Sequence, residues 1–207
     1  MSDSYRIPSA ELIVEEEIKH SRFISFLFQC QSYEELKCAL TNIKADYPGA
    51  NHYCYAFVAA QPDNTVAMGS SDDGEPSGSA GRPMLAMLQG ANIGEIGAIV
   101  VRYFGGTKLG VGGLVRAYSS GIKQGLTQLQ TQVKQIRYPG LLVCDYSQLK
   151  DVEYLLAQYD CVIEERGFME KITVNFVIPK RFQTNLNRDL ATMSQGSLAA
   201  KFEFLKE

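Results

Sequence analysis

The chain has 207 residues, of which 45% are hydrophobic, and a net charge of −3 at pH 7. This length suits one large domain or two small ones with a real hydrophobic core, whereas so mild a charge predicts no class of partner by itself. Five cysteines, an odd number without Cys-x-x-Cys spacing, argue against a disulfide framework and a zinc site. They are typical of reduced core thiols in a cytosolic protein.

The N-terminal stretch MSDSYRIPSAELIVEEE lacks the basic and apolar regions of a signal peptide. No apolar run reaches membrane-spanning length. We therefore expect a cytoplasmic protein with no membrane partner.

Up to residue 70 the sequence predicts three strands and one helix. Aromatic and β-branched residues indicate the strands, and a capping box formed by Ser32 and Glu35 indicates the start of the helix. The elements are a strand at 19–30, a helix from Ser32 to Pro48-Gly49, a strand at 51–60 and, after a turn at 61–64, a strand at 65–70.

Between residues 69 and 113 the chain places twelve of its eighteen glycines. An acidic glycine loop and a basic glycine loop, the latter between the buried strand and the long helix, are separated there by about one helix and one strand. This arrangement predicts that the two loops form the two sides of one site. The elements are the acidic loop at 71–81, a short helix from Pro83, a buried strand at 96–104, and a long helix opened by Gly112-Gly113 with Leu114, Tyr118, Ile122, Leu126 and Leu129 inward.

After about residue 132 the order β-α-β-β-α-β predicts a ferredoxin-like domain of about 75 residues with a mixed sheet. We therefore predict an α+β fold with two domains, 1–132 and 133–207. The second contains a strand at 135–146, a helix from Ser147, a hairpin of strands 161–168 and 171–179, a helix at 180–193 and a strand at 198–206.

The charges are unevenly distributed along the chain. Residues 1–75 carry 5 Lys or Arg and 12 Asp or Glu, residues 76–132 carry 5 and 1, and residues 133–207 carry 10 of each. The positive charge therefore falls on the stretch that contains the basic loop.

The basic loop has the features of a phosphate site. A helix N-terminus carries unpaired N–H groups and partial positive charge, glycine lets the backbone approach a phosphate, and tyrosines beside cations suit base stacking. The loop is neither a Walker nor a Rossmann motif. The alternative is a strand-to-helix connection whose cations pair with the acidic loop. The predicted anion- or nucleic-acid-binding residues are Arg102, Tyr103, Gly105, Gly106, Lys108, Gly110, Gly112, Gly113 and Arg116.

The acidic loop has two interpretations, a site and a turn. Paired carboxylates can hold Mg²⁺ or act as general acid and base, but Asp-Asp-Gly-Glu-Pro also suits a turn. No cofactor is predicted, although Asp72 and Asp73 are the candidates should Mg²⁺ bind. Flanking aromatics such as Phe104 are expected in the core or at its rim. The predicted residues of the acidic site are His52, Asp72, Asp73, Glu75 and Ser77.

Two nucleophilic hypotheses are disfavoured by the sequence. A triad of His52, an aspartate and Ser77 would lack the Gly-x-Ser-x-Gly elbow, so we expect His52 to be a hydrogen-bonded structural or site residue. Cys54 follows His52 closely, but its apolar segment is more typical of a core thiol than of a catalytic one.

Four stretches of the chain resemble the IMPACT family in its bacterial, YigZ-like branch. They are KHSRF (19–23), NHYCYAF (51–57), SSDDGEPSGSAGRPML (70–85) and VVRYFGGTKLGVGGLVRAYS (100–119). Tyr53 stands where many relatives have a second histidine. The resemblance covers residues 1–130 by motif and the remainder by element order.

The resemblance implies an N-terminal domain similar to the second domain of a small-subunit ribosomal protein. It implies a C-terminal domain similar to ferredoxin-like domains of elongation factor G. Eukaryotic relatives regulate translation through a partner-binding domain that precedes the shared domain. Since the resemblance does not include that domain, it does not imply their mechanism for this chain. A proline-dipeptidase activity attributed to some bacterial relatives would need a metal-ligand set that this sequence lacks.

Three functional hypotheses follow. The first is a non-enzymatic RNA- or ribosome-associated regulator of translation that binds phosphates through the basic loop. The second is an enzyme acting on a phosphorylated metabolite or nucleotide with Mg²⁺ at the acidic loop. The third is a protein-interaction module that holds an acidic peptide of a protein partner.

Overall fold

The computed structural model of the chain describes residues 4–202. It has an α+β fold and divides into two compact units, Tyr5–Lys134 and one formed mainly by the residues from Gln135 onward. Within residues 4–202, no helix has the length and apolar character needed to cross a bilayer.

A five-stranded antiparallel sheet forms the centre of the first unit. The continuous apolar run at 96–103 makes the middle strand, which is buried along nearly its whole length. The strands, in the spatial order β2-β3-β6-β4-β5, are β2 (Leu12–Ile18), β3 (Ser21–Gln29), β6 (Ile96–Tyr103), β4 (His52–Val58) and β5 (Met68–Ser71).

Three helices cover the two faces of this sheet. Alternating residues of β3 point to opposite faces, so that Phe23 and Leu27 pack under α2 and α3 whereas Ile24 and Phe26 pack under α1. The capping box predicted for α1 is confirmed, because the Ser32 hydroxyl accepts a hydrogen bond from the Glu35 N–H at 3.1 Å. The helices are α1 (Tyr33–Asp46), α2 (Gly81–Gly90) and α3 (Val111–Gln128).

Strands β1 (Ser4–Pro8) and β7 (Thr131–Gln135) form a separate two-stranded sheet. Buried Glu95 holds this region to the main sheet. Its carboxylate accepts hydrogen bonds from Tyr5 Oη at 2.7 Å, Gln29 Nε2 at 3.1 Å and Lys134 Nζ at 2.5 Å. Burial alone would raise the pKa of Glu95, but these three donors outweigh it and hold the pKa below its ordinary value.

The second unit has a four-stranded sheet packed on helices through one apolar core. The predicted order β-α-β-β-α-β is confirmed, but the pairing of the described strands is antiparallel throughout and not mixed. The elements are β8 (Tyr138–Cys144), α4 (Leu149–Gln158), β9 (Val162–Phe168), β10 (Ile172–Ile178), a 3₁₀ turn (Lys180–Phe182), α5 (Gln183–Met193) and β11 (Lys201–Phe202), in the spatial order β11-β8-β10-β9.

Some predicted boundaries are corrected. The strand expected at 19–30 begins at Ser21, because Lys19 and His20 have φ angles of 48° and 66° and form a two-residue turn. Strands β1, β2 and β7 were not predicted. Of the final strand expected at 198–206, residues 203–206 lie outside the described residues.

Candidate functional site

Asp72 organises the acidic loop from within. Its carboxylate accepts backbone hydrogen bonds from Gly78, Ala80 and Gly81 at 2.8, 3.0 and 2.8 Å. Burial would raise the pKa of Asp72, but these N–H donors outweigh it and keep the pKa below its ordinary value. Asp72 therefore orders the loop and the start of α2.

Asp73 and His52 join the acidic loop to β4. Asp73 Oδ2 accepts a hydrogen bond from the Tyr53 N–H at 2.6 Å, and His52 Nδ1 donates to the Asp73 carbonyl oxygen at 2.8 Å. In a hydrolytic triad the histidine would donate to the aspartate carboxylate. Here His52 donates to the backbone carbonyl oxygen of Asp73 instead. Ser77 lies exposed on the loop.

Glu75 is the buried centre of the acidic loop. Its Oε1 accepts hydrogen bonds from Arg102 Nη1 at 2.5 Å and from the Tyr118 hydroxyl at 2.7 Å. His52 Nε2 lies 3.9 Å from Glu75 Oε2. The Glu75 and Arg102 side chains are only 3% and 6% exposed. Burial, with further contributions from Cys54 and Glu75, raises the pKa of Tyr118 well above its ordinary value, so its hydroxyl stays a donor.

The basic loop connects β6 to α3, and its glycines serve different purposes. At Gly105 a Cβ atom would lie 1.8 Å from the His20 carbonyl oxygen, so the loop must pack directly on the β2–β3 turn. Gly110 has a φ of 72°, a conformation that glycine adopts at low cost. Gly106 likewise has a positive φ of 84°.

The N-terminus of α3 is open to solvent. Its N-cap is Gly110, no side chain caps it, and its first turn contains no acidic residue. The N–H groups of the first turn therefore keep their partial positive charge. The fold does not require glycine at 112, because a Cβ there would meet nothing within 4 Å and φ is not positive.

A concavity of about 390 Å³ lies beside this helix start. We call it the Phe104 pocket. Residues of both glycine loops line it, together with the exposed ring of Phe104, which lies 5.6 Å from the Arg102 guanidinium carbon. Its lining is Glu75, Pro76, Arg102, Phe104, Lys108, Leu109, Gly110, Val111 and Leu114.

A second concavity, of about 530 Å³, flanks α3 and shares Leu109 with the Phe104 pocket. We call it the Lys19 groove. It contains two cations from distant parts of the sequence, one on the β2–β3 turn and one on α3. Its lining is Ile18, Lys19, Leu109, Gly113, Arg116, Ala117 and Ser120.

The cations around the α3 N-terminus fall into two groups. Lys19, Lys108 and Arg116 are exposed and form no ion pair within residues 4–202. Arg102, in contrast, is buried in an ion pair with Glu75. For this cation, the alternative interpretation of the basic loop holds, in which the cations pair with the acidic loop. Tyr103 packs on the α1 side of the sheet, which separates it from α3.

The described residues of this site form no metal cage and present no exposed thiol. In the described part of the chain, no three or more His, Cys, Asp or Glu side chains form a group suited to a metal. Asp72 and Asp73 stay the candidate ligands should Mg²⁺ bind. Cys54 is completely buried, and burial raises its pKa to about 12, which suits a core thiol.

Two residues of the site were missed in the sequence. Lys19 was assigned to a strand, and Phe104 was expected in the core or at its rim. The tight fit of Gly105 against the β2–β3 turn brings Lys19 to α3, and no local sequence pattern encodes a contact between residues 85 positions apart.

Comparison with known proteins identifies the family. The Impact N-terminal domain matches residues 19–126, and a domain of unknown function (DUF1949) matches residues 142–197. The chain therefore belongs to the IMPACT family. It is 44% identical to the IMPACT family member YigZ of Escherichia coli (strain K12), over 95% of this chain and 96% of that protein.

Further relatives and one solved structure agree with this result. The chain is 42% identical to an IMPACT family member of Haemophilus influenzae over 94% of both chains, and 30% identical to YvyE of Bacillus subtilis (strain 168) over 87% and 86%. A crystal structure described as that of a hypothetical protein has a TM-score of 0.81 and 42% identity, with full coverage of both chains.

Proposed function

We propose that this protein is an RNA- or ribosome-associated regulator of translation that binds phosphate groups at the N-terminus of α3. One observation carries the proposal. The uncapped start of an 18-residue helix lies among exposed cations that have no carboxylate partner in the described structure. Lys108 lines one adjoining concavity and Arg116 the other. Unpaired N–H groups, the helix dipole and flanking cations together favour a phosphate.

The proposal includes the finer domain types. The spatial order β11-β8-β10-β9 and the antiparallel pairing of the second unit support a ferredoxin-like domain similar to those of elongation factor G. For the first unit we propose the fold of the second domain of a small-subunit ribosomal protein. Both types are found in proteins that act on the ribosome, and this analogy at the level of the fold supports the proposal.

The contacts of the acidic loop favour binding over catalysis. Asp72 and Asp73 accept backbone N–H groups, and Glu75 is neutralised by Arg102. These carboxylates therefore already have donors inside the protein, and each has a structural explanation. A base or a magnesium ligand would need an oxygen that faces the substrate.

The test is a salt titration of RNA affinity. Each cation that neutralises a phosphate contributes to the slope of log affinity against log salt, by about −0.7 for a single strand and −0.9 for a duplex. We expect the double variant Lys108→Ala with Arg116→Ala to bind RNA more weakly and with a slope shallower by about 1.4–1.8. Unchanged affinity and slope would disprove the assignment.

The matched control is Lys37→Ala with Lys44→Ala. Both lysines are exposed on α1, which covers the opposite face of the same sheet from α3. This variant changes the net charge equally but should leave the slope unchanged. Equal effects in the two double variants would indicate that only net charge matters.

A further inference from the structure

We infer that the Phe104 pocket receives a single unstacked base, so that the bound nucleic acid is single-stranded. The inference rests on the proposed function and specifies the ligand of the same site. Gly110 and Val111 belong both to the pocket lining and to the start of α3. A phosphate held by the helix N–H groups would thus have its own base beside the pocket.

The chemistry of the pocket suits a base. Its volume of about 390 Å³ lies within the usual range of small-ligand sites, about 300–1,000 Å³. Pro76, Leu109 and Leu114 supply apolar walls. Phe104 is 45% exposed and lines the pocket, and an exposed aromatic ring is the usual platform on which an unpaired base stacks.

Arg102 adds a polar feature to this pocket. Its side chain is only 6% exposed, it lines the pocket, and its Nε–H has no hydrogen-bond partner within residues 4–202. Buried donors are nearly always paired in folded proteins. The edges of nucleobases carry carbonyl and ring-nitrogen acceptors, so a base in the pocket would bring acceptors close to this guanidinium group.

A base that is paired in a duplex cannot enter the pocket. It would have to leave the stack at a cost of a few kcal/mol. A single strand has no such cost, and its phosphates can continue past Leu109 toward Lys19 and Arg116 in the groove. The geometry therefore favours single strands over duplexes.

The experiment compares three fluorescent probes on the full-length chain. They are an oligouridylate of about ten nucleotides, which is within the usual site sizes for single strands, an abasic ribose-phosphate chain of equal length, and an RNA duplex. We expect the oligouridylate to bind about 5- to 150-fold more tightly than the abasic chain, as one stacked base implies. Phe104→Leu should remove that advantage, so that the oligouridylate and the abasic chain bind alike.

Phe168→Leu is the matched control, since Phe168 is also exposed and lies in the second unit. Equal binding of the oligouridylate and abasic chains, or tighter binding of the duplex, would overturn the inference. If Lys108→Ala with Arg116→Ala still weakened both single strands, the phosphate site would stand without the base pocket. Failure of every probe to bind would overturn both proposals.

Discussion

Nη1 of Arg102 lies 2.5 Å from Oε1 of Glu75, and both side chains are almost completely buried. This pair joins the acidic loop to the middle strand of the sheet, 27 residues later in the chain. The Tyr118 hydroxyl on α3 binds the same carboxylate oxygen. The Glu75 carboxylate thereby links the acidic loop both to the strand that precedes the basic loop and to α3.

Glu75→Gln should destabilise the protein strongly. Removing one partner of a buried ion pair leaves the other charge buried without compensation, which costs about 3–5 kcal/mol. Urea unfolding followed by circular dichroism measures the change in the free energy of unfolding.

The control for this prediction is the exposed pair between Arg22 Nε and Glu15 Oε1, at 2.6 Å. Glu15→Gln should cost no more than about 1 kcal/mol, because water screens the pair. Similar losses for Glu15→Gln and Glu75→Gln would show that burial does not set the strength of the Glu75–Arg102 pair.

Gly112→Ala should separate stability from binding. Alanine fits the space at 112 and is favoured over glycine within a helix by about 0.5–1 kcal/mol, so the melting temperature should rise. RNA affinity should fall, because the new methyl group lies where a phosphate approaches the helix N–H groups. Thermal melts and fluorescence anisotropy measure the two effects.

Gly90→Ala provides the comparison. Gly90 is also helical, and a Cβ there would likewise meet nothing within 4 Å. This variant should not weaken RNA binding. If Gly112→Ala bound RNA as well as the unmodified protein, the backbone of α3 would not contact the phosphate.

Acid should unfold the protein partly through Glu95. The pKa of Glu95 is lowered in the folded state, whereas its unfolded value is about 4.3. The unfolded state therefore binds more protons in this range, and stability falls as the pH drops from the unfolded pKa through the folded pKa. Denaturant unfolding from about pH 3 to 7 measures this slope.

Glu95→Gln should reduce the slope of stability against pH below about pH 4.5. It should also cost about 1–3 kcal/mol at neutral pH, where the charged hydrogen bonds are lost. Glu11→Gln makes the same chemical change at an exposed glutamate and serves as the control. If the free energy of unfolding of Glu95→Gln still fell steeply below about pH 4.5, groups other than Glu95 would cause the acid sensitivity.

Lys19→Asn with His20→Gly should stabilise the β2–β3 turn. Both native residues have positive φ angles, and Asn-Gly is the preferred sequence for this type of turn. We expect a net gain of up to about 1 kcal/mol, because glycine at 20 relieves a left-handed conformation that costs other residues about 1–2 kcal/mol but itself costs about 0.5–1 kcal/mol in chain entropy. RNA binding should weaken because the Lys19 charge is lost. Unfolding and salt titrations on one preparation measure both. A variant that bound RNA with an unchanged salt slope would exclude Lys19 from the phosphate site.

Local patterns in the sequence predict most elements of the fold. The run at 96–104 was predicted as a buried strand and forms the middle strand of the sheet, and the Ser32 capping box starts α1. Strand β2 was missed because three glutamates in LIVEEEI obscure its alternation. Strands β1 and β7 pair across more than 120 residues, which a local pattern cannot reveal.

The site was less predictable than the fold. Clustered glycines and cations indicated the two glycine loops as the candidate site, but they did not show that Arg102 would be buried with Glu75 or that Tyr103 would face α1. Those outcomes depend on which face of β6 each side chain takes, and hence on the register of the sheet. Phe104 follows the last residue of β6 and is exposed, although strand alternation alone would place it on the same face as buried Arg102.

Gly105 has a consequence for the energetics of binding. Because its backbone packs directly on the His20 carbonyl group, the β2–β3 turn and the basic loop cannot move independently. The backbone that carries Lys19 is therefore preorganised for the proposed phosphate, whose binding would cost little conformational entropy there. A larger residue at 105 would force the basic loop away from the β2–β3 turn, and the position of Lys19 relative to α3 would no longer be fixed.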